Sequence, residues 1–244
     1  MSTVWALLPL KDLVQAKSRL AGILAPHERR ALAQAMVEDV LSALVSHTAT
    51  GGVLLVSDDP AAALLAHRYD IELVQEKSLA CSGLNGAIAA ATDYLSNRDI
   101  TDIMVLHGDI PLLQTADLAA LHESYSQASS DVTIGPDLQR DGTNVMMFAT
   151  AQTPVFHYGP GSFTVHRQAA LERGLEVTVV ERPGIGLDVD RPADLLELYH
   201  HLPAAQGAIH SKELLLNGEI ARRLRIIEDS GLGSPEDTEH NDAV

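Results

Sequence analysis

The chain has 244 residues, 46% of them hydrophobic, a formal net charge of -16 and a single cysteine, Cys81. So acidic a balance excludes a protein that coats nucleic acid, since such binders use a basic face to displace counterions, and one cysteine excludes an intrachain disulfide. No apolar run is long enough to cross a bilayer, and the early run at residues 4–8 is too short for a signal-peptide core, so the expectation is a soluble, cytoplasmic α/β protein without a membrane partner.

Runs rich in Val, Ile and Leu recur at residues 4–8, 53–56, 71–74, 103–106, 132–134, 145–148 and 177–180. Most are separated by stretches with helical spacing, at 26–45, 60–68, 84–95, 116–126, 165–173 and 192–202. The first of these stretches has Pro26 in its opening turn and carries Leu32, Met36, Leu41 and Leu44 on one stripe. Such alternation predicts a mainly parallel sheet with helices on both faces. We expect a main domain over 1–204, then a C-terminal helix over 212–227 and an acidic tail without fixed structure, within 205–244.

In parallel sheets of this kind, ligands bind beyond the carboxyl ends of the strands. Immediately after the first run stand Lys11, Lys17 and Arg19, a basic island in an acidic chain. The fourth run ends in His107, Gly108 and Asp109, and a later segment carries Asp188 and Asp190 around Val189. Carboxylates spaced by two in extended chain share one face, and hard oxygen ligands suit Mg²⁺. Cations beside an acidic metal site point to phosphate chemistry. Blander roles compete: Asp109 as a turn residue before Pro111, Asp190 as the cap of the helix begun by Pro192, and the basic island as a solvated helical face.

Neither the GxxxxGK[ST] loop nor the GxGxxG fingerprint occurs, so phosphates must be held in another way. Leu84, Asn85 and Gly86 open a helix, where the Asn85 amide offers a donor and an acceptor to the edge of a nucleobase. Thr143 and Asn144 follow a turn at Asp141 and Gly142. Gly159 and Ser162 lie in a glycine-rich turn whose backbone N–H groups can approach an anion, and His166 follows on the next helix. Asn144 and His166 are candidates for contact with an acceptor's phosphate or carboxylate, although for His166 a surface position is the default reading.

Taken in order, the segments PLKxxxxAKSRL, GLNxAI, GDIP, DGTN, YGPGSFxxH and DVDRPADL resemble the CofC/FbiD guanylyltransferases of coenzyme F420 biosynthesis, over about residues 4–202. The resemblance implies a nucleotidyltransferase fold, GTP as donor, Mg²⁺, and 2-phospho-L-lactate, phosphoenolpyruvate or 3-phospho-D-glycerate as acceptor. It further implies metal at Asp109, Asp188 and Asp190, acceptor contacts at Thr143, Gly159 and Ser162, and a homodimer. Two rival readings are a sugar-phosphate or molybdenum-cofactor nucleotidyltransferase, whose glycine-rich GGxSxRM loop is absent here, and a GTP-binding partner protein without catalysis.

Overall fold

The computed structural model describes residues 3–13, 15–127 and 130–230. The element order is β1 (Val4–Pro9), α1 (Pro26–Ser46), β2 (Thr50–Val56), α2 (Pro60–Tyr69), β3 (Glu72–Val74), α3 (Gly83–Ser96), β4 (Asp102–Leu106) and α4 (Thr115–Gln127). It continues through β5 (Val132–Pro136), β6 (Thr143–Ala149), α5 (Ser162–Glu172), β7 (Val177–Val179), α6 (Pro183–Gly186), α7 (Pro192–His201), α8 (Ile209–Leu215) and α9 (Gly218–Ser230).

All seven expected strands form, and they join one sheet in the order β3-β2-β1-β4-β6-β5-β7. Only β6 runs antiparallel to its neighbours β4 and β5. Alternate residues of each strand face opposite sides, so Ala6, Leu8, Leu55, Met104 and Leu106 pack with α1, α2 and α4. Leu7, Leu54, Ile103, Val105 and Phe148 pack on the other side with α3 and α5. The chain winds outward from β1 in both directions, which places a switch in strand order between β1 and β4.

A third apolar cluster lies beside α1, where Leu32 and Met36 meet Val189, Leu195 and Leu198, and Leu215, Ile220 and Leu224 from the C-terminal helices. The expected single helix over 212–227 is two helices, because Gly218 takes a left-handed φ of 71° and turns the chain after α8. Asp39 on α1 accepts the backbone N–H groups of His210 and Ser211, each at 2.9 Å, and so ties down the start of α8. Arg223 on α9 donates to Glu28 on α1 at 2.7 Å. The one-turn helix α6 was not expected from spacing, and α5 begins three residues earlier than read, at Ser162. The acidic tail beyond residue 230 lies outside the described residues.

Candidate active site

The carboxyl ends of β1, β2 and β4 open into a crevice of about 990 Å³, within the size range of nucleotide-sized ligands. Its lining includes Lys11, Lys17, Asp58, Glu76, Leu84, His107, Asp109 and Asp190.

Each wall is fixed by local chemistry. Beyond β1 the loop extends the ladder through Leu10 N–H donating to the Val56 carbonyl at 2.9 Å. Leu13 is buried, and its N–H donates to Asp59 Oδ2 at 2.7 Å while Asp59 Oδ1 caps α2 through Ala61 N–H. Asp59 is therefore spent on holding the loop. Lys17 takes a left-handed φ of 56° and turns its side chain inward, with only 8% of it exposed.

The two halves of the split acidic site meet through the backbone. Val189 N–H donates to the Asp109 carbonyl at 3.1 Å, which seats the late segment against the end of β4. Gly108 lets this corner close, because a Cβ there would stand 2.8 Å from Val37 Cγ2 of α1.

Lys17 then bridges the segments: its Nζ donates to Asp109 Oδ2 at 2.7 Å and to Asp190 Oδ1 at 2.8 Å. Burial alone would lower the Lys17 pKa, but Asp109 and Asp190 hold it above its ordinary value. Burial alone would raise the Asp109 carboxyl, but Lys17 and His107 hold it below the usual range. Arg19 stands at the rim, its Nη1 3.6 Å from Asp190 Oδ2.

Asp188 is placed differently from its two partners. Its Oδ1 accepts from Asn144 Nδ2 at 3.2 Å, and burial, then the negative charges of Asp109 and Asp190, push its pKa up to about 6. The expected set of three carboxylates sharing one ion is thus not preassembled, and no group of three or more His, Cys, Asp or Glu stands ready to hold a metal among the described residues. The physical reason is that the Lys17 ammonium sits between two of the carboxylates. The residues nevertheless fit a divalent cation: Asp109 Oδ1 is buried with no hydrogen-bond partner among the described residues, and Asp188 feels uncompensated negative charge.

Of the remaining sequence candidates, Leu84 lines the crevice, while Asn85, Thr143, Asn144, Ser162 and His166 make hydrogen bonds outside its lining. Asn85 engages Tyr158 with both ends of its amide, accepting its N–H at 2.7 Å and donating to its carbonyl at 3.2 Å. Gly86 does not line the crevice. Thr143 N–H donates to Ser162 Oγ at 2.9 Å, and Thr143 Oγ1 lies 3.0 Å from His166 Nδ1.

His166 Nε2 accepts the His157 N–H at 2.8 Å, which requires that nitrogen to be unprotonated and makes Nδ1–H the donor to Thr143. Burial, with the neighbouring His157 and His107, lowers the His166 pKa to about 4. The residue is 1% exposed, which overturns the surface reading: α5 turns it inward. Gly159 alone of this group is exposed, at a φ of 142°. Asn144 donates to the Ile185 carbonyl at 2.9 Å and so joins β6 to α6 beneath Asp188.

Lining residues that received no role from the sequence include Glu76 and His107. Both follow the ends of strands, β3 and β4, a position that by itself marks candidates in a parallel sheet. Burial pushes the His107 imidazole below its ordinary pKa.

Residues 4–222 match the family described as guanylyl transferase CofC like. A phosphoenolpyruvate guanylyltransferase of Conexibacter woesei is 38% identical over 216 residues, 88% of this chain and 96% of the relative. A 2-phospho-L-lactate guanylyltransferase of Methanothermobacter thermautotrophicus is 32% identical over 229 residues, 94% of each chain. Among solved structures, a Desulfovibrio desulfuricans protein described as a nucleotide-diphospho-sugar transferase superposes with a TM-score of 0.71 at 16% identity, over 94% of this chain and 96% of its own, a likeness of fold.

Proposed function

The chain belongs to the CofC-like guanylyltransferase family, and from that premise we propose that it transfers GMP from GTP to the phosphate of a three-carbon phospho-acid, with release of pyrophosphate, in coenzyme F420 biosynthesis. Phosphoenolpyruvate is the first acceptor to test, because the relative at 38% identity is named for it and the one named for 2-phospho-L-lactate stands at 32%.

The observation that carries this reading is Lys17 held between Asp109 and Asp190 at the switch point of the sheet, in a crevice able to hold a nucleoside triphosphate. In the reaction an acceptor phosphate oxygen attacks the α-phosphorus of GTP, forming a P–O–P bond as the bond to the leaving pyrophosphate breaks. A phosphate monoester has a second pKa near 6, so it is largely dianionic at neutral pH and requires no general base. That agrees with a site that presents charge and no nucleophile-base dyad.

The barrier is the approach of two polyanions, and the site's work is neutralisation and alignment. Lys11 lines the mouth and Arg19 stands at the rim, both positioned to draw charge onto the departing pyrophosphate. Lys17 pairs with Asp109 and Asp190 in the free enzyme and can turn its ammonium to the triphosphate when the nucleotide enters. Asp109, Asp188 and Asp190 are the residues that would hold Mg²⁺, which when bound neutralises charge on the reacting phosphates. The exposed backbone at Gly159, braced from below by Thr143, Ser162, His166 and the Asn85–Tyr158 clamp, is the acceptor's side, while Asn144 fixes Asp188.

Pyrophosphate release with Mg²⁺ and GTP, offering phosphoenolpyruvate, 2-phospho-L-lactate and 3-phospho-D-glycerate separately with ATP and CTP as donor controls, tests the assignment. Release with GTP and one acid establishes the reaction and its acceptor. GTP binding without release with any acid would contradict it.

A further inference from the structure

The crevice extends well past the charged centre, and the chemistry of its far end has no role in phosphate transfer. Its lining there includes Asp58 and Pro60 after β2, Glu76 after β3, Leu84 on α3, and Leu10, whose N–H reaches the end of β2. With the phosphates at Lys17 and Asp109, beyond β1 and β4, this far end is where the base of the nucleotide has to lie. Leu10, Pro60 and Leu84 supply apolar surface for its faces. Its edge needs polar partners, and carboxylates nearby are engaged within the protein, Asp59 by the N–H groups of Leu13 and Ala61 and Asp58 by that of Lys77.

Glu76 is the exception. Its carbonyl accepts from Cys81 Sγ, but its carboxylate takes part in no hydrogen bond or ion pair of the described residues. It sits in the single turn Glu76–Leu79 that follows β3, and that turn is braced by Asp58, whose Oδ2 accepts the Lys77 N–H at 3.2 Å. A carboxylate offers acceptors only. Guanine presents two adjacent donors, N1–H and the 2-amino group, which match the two oxygens of one carboxylate. Adenine presents a lone pair at N1, which the same carboxylate repels.

We infer that Glu76 reads the N1–H and 2-amino edge of guanine and that Asp58 is a positioning residue holding the Glu76 turn, which together make the enzyme select GTP. This rests on the proposed guanylyl transfer for the identity of the donor, and on the lining and pairing of these side chains for the assignment. Hydrogen bonds to a charged partner contribute enough that loss of one weakens binding on the order of tenfold or more.

Equilibrium binding of GTP, ITP and ATP to the protein and to Glu76→Ala and Asp58→Ala tests it. ITP lacks only the 2-amino group, so the ratio of GTP to ITP affinity isolates one of the two bonds. The wild-type protein is expected to favour GTP over ITP by about tenfold or more and over ATP by still more. Glu76→Ala should bring GTP and ITP to within about twofold while still binding both, and Asp58→Ala should reduce the ratio part-way. A merely structural role would weaken both nucleotides equally and leave the ratio unchanged, which would overturn the inference. An unchanged ratio in a protein that still releases pyrophosphate from GTP removes the role of Glu76 alone, whereas absence of GTP binding by the wild-type protein removes the proposed function with it.

Discussion

Lys17 Nζ donates to Asp109 Oδ2 at 2.7 Å across a separation of 92 residues, and the bond joins the loop after β1 to the end of β4 at the switch point of the sheet. The ammonium sits where two carboxylates would otherwise repel, so their repulsion is offset before any ligand arrives. Breaking such a pair from one side leaves a partly buried charge without its partner, which costs more than the pair itself contributes.

Lys17→Met is therefore expected to lower turnover on the order of a hundredfold, through loss of a cation at the reacting phosphates. It should also reduce stability by roughly 3 kcal/mol. Adding Asp109→Asn to this variant should restore part of that stability, since the stranded charge is removed. Urea unfolding of both single variants and the double variant measures the coupling; additive effects would mean the pair does not interact.

Gly108→Ala should be costly although alanine is small. Its Cβ would stand 2.8 Å from Val37 Cγ2, and a β-branched side chain in a helix has little room to turn away. A loss of about 1–3 kcal/mol is expected, with reduced turnover as Asp109 shifts. Val37→Ala in the same chain should recover much of both, as read by thermal unfolding and pyrophosphate release.

His166 confers a pH dependence on stability whose sign follows from its lowered pKa. The folded protein holds it neutral down to about 4, whereas the unfolded chain protonates it near the ordinary 6.5. Between those values the unfolded state binds more protons, so stability rises with pH. The contribution is complete above about pH 6.5 and is lost as pH falls towards and through about 4. Melting temperature measured across this window should fall less in His166→Gln than in the wild-type protein; parallel curves would show that His166 does not carry the effect.

Much of the architecture was legible locally. Short apolar runs alternating with helical spacing marked all seven strands, because a strand buried on both faces is written in consecutive residues. The order of strands and the two-helix C-terminal end were less legible: Leu214, Leu215, Ile220 and Leu224 keep a helical rhythm across the break, and only Gly218 signals the turn.

Residue types at the site were legible from their positions after strands, but their commitments were not. Asn85 is engaged by Tyr158 from 73 residues away, and Lys17 by Asp190 from 173. Such pairings depend on how the sheet assembles, which no local pattern records.

Asn144→Ala should leave the Ile185 carbonyl without its 2.9 Å donor and Asp188 without its only side-chain donor among the described residues. A loss of roughly 1–3 kcal/mol is expected, together with reduced turnover, because Asp188 is no longer fixed. Urea unfolding and initial rates check the two effects, and a variant as stable as the wild-type protein would show that the Asn144 bonds contribute nothing.

The most direct test of the account compares the wild-type protein with Asp109→Asn, incubated with Mg²⁺, GTP and phosphoenolpyruvate, by product mass and circular dichroism. The wild-type protein is expected to yield GMP joined through its phosphate to the acid. The variant should keep the native spectrum and form product at least about a hundredfold more slowly. Undiminished product from a folded Asp109→Asn protein would contradict the placement of the chemistry in this crevice.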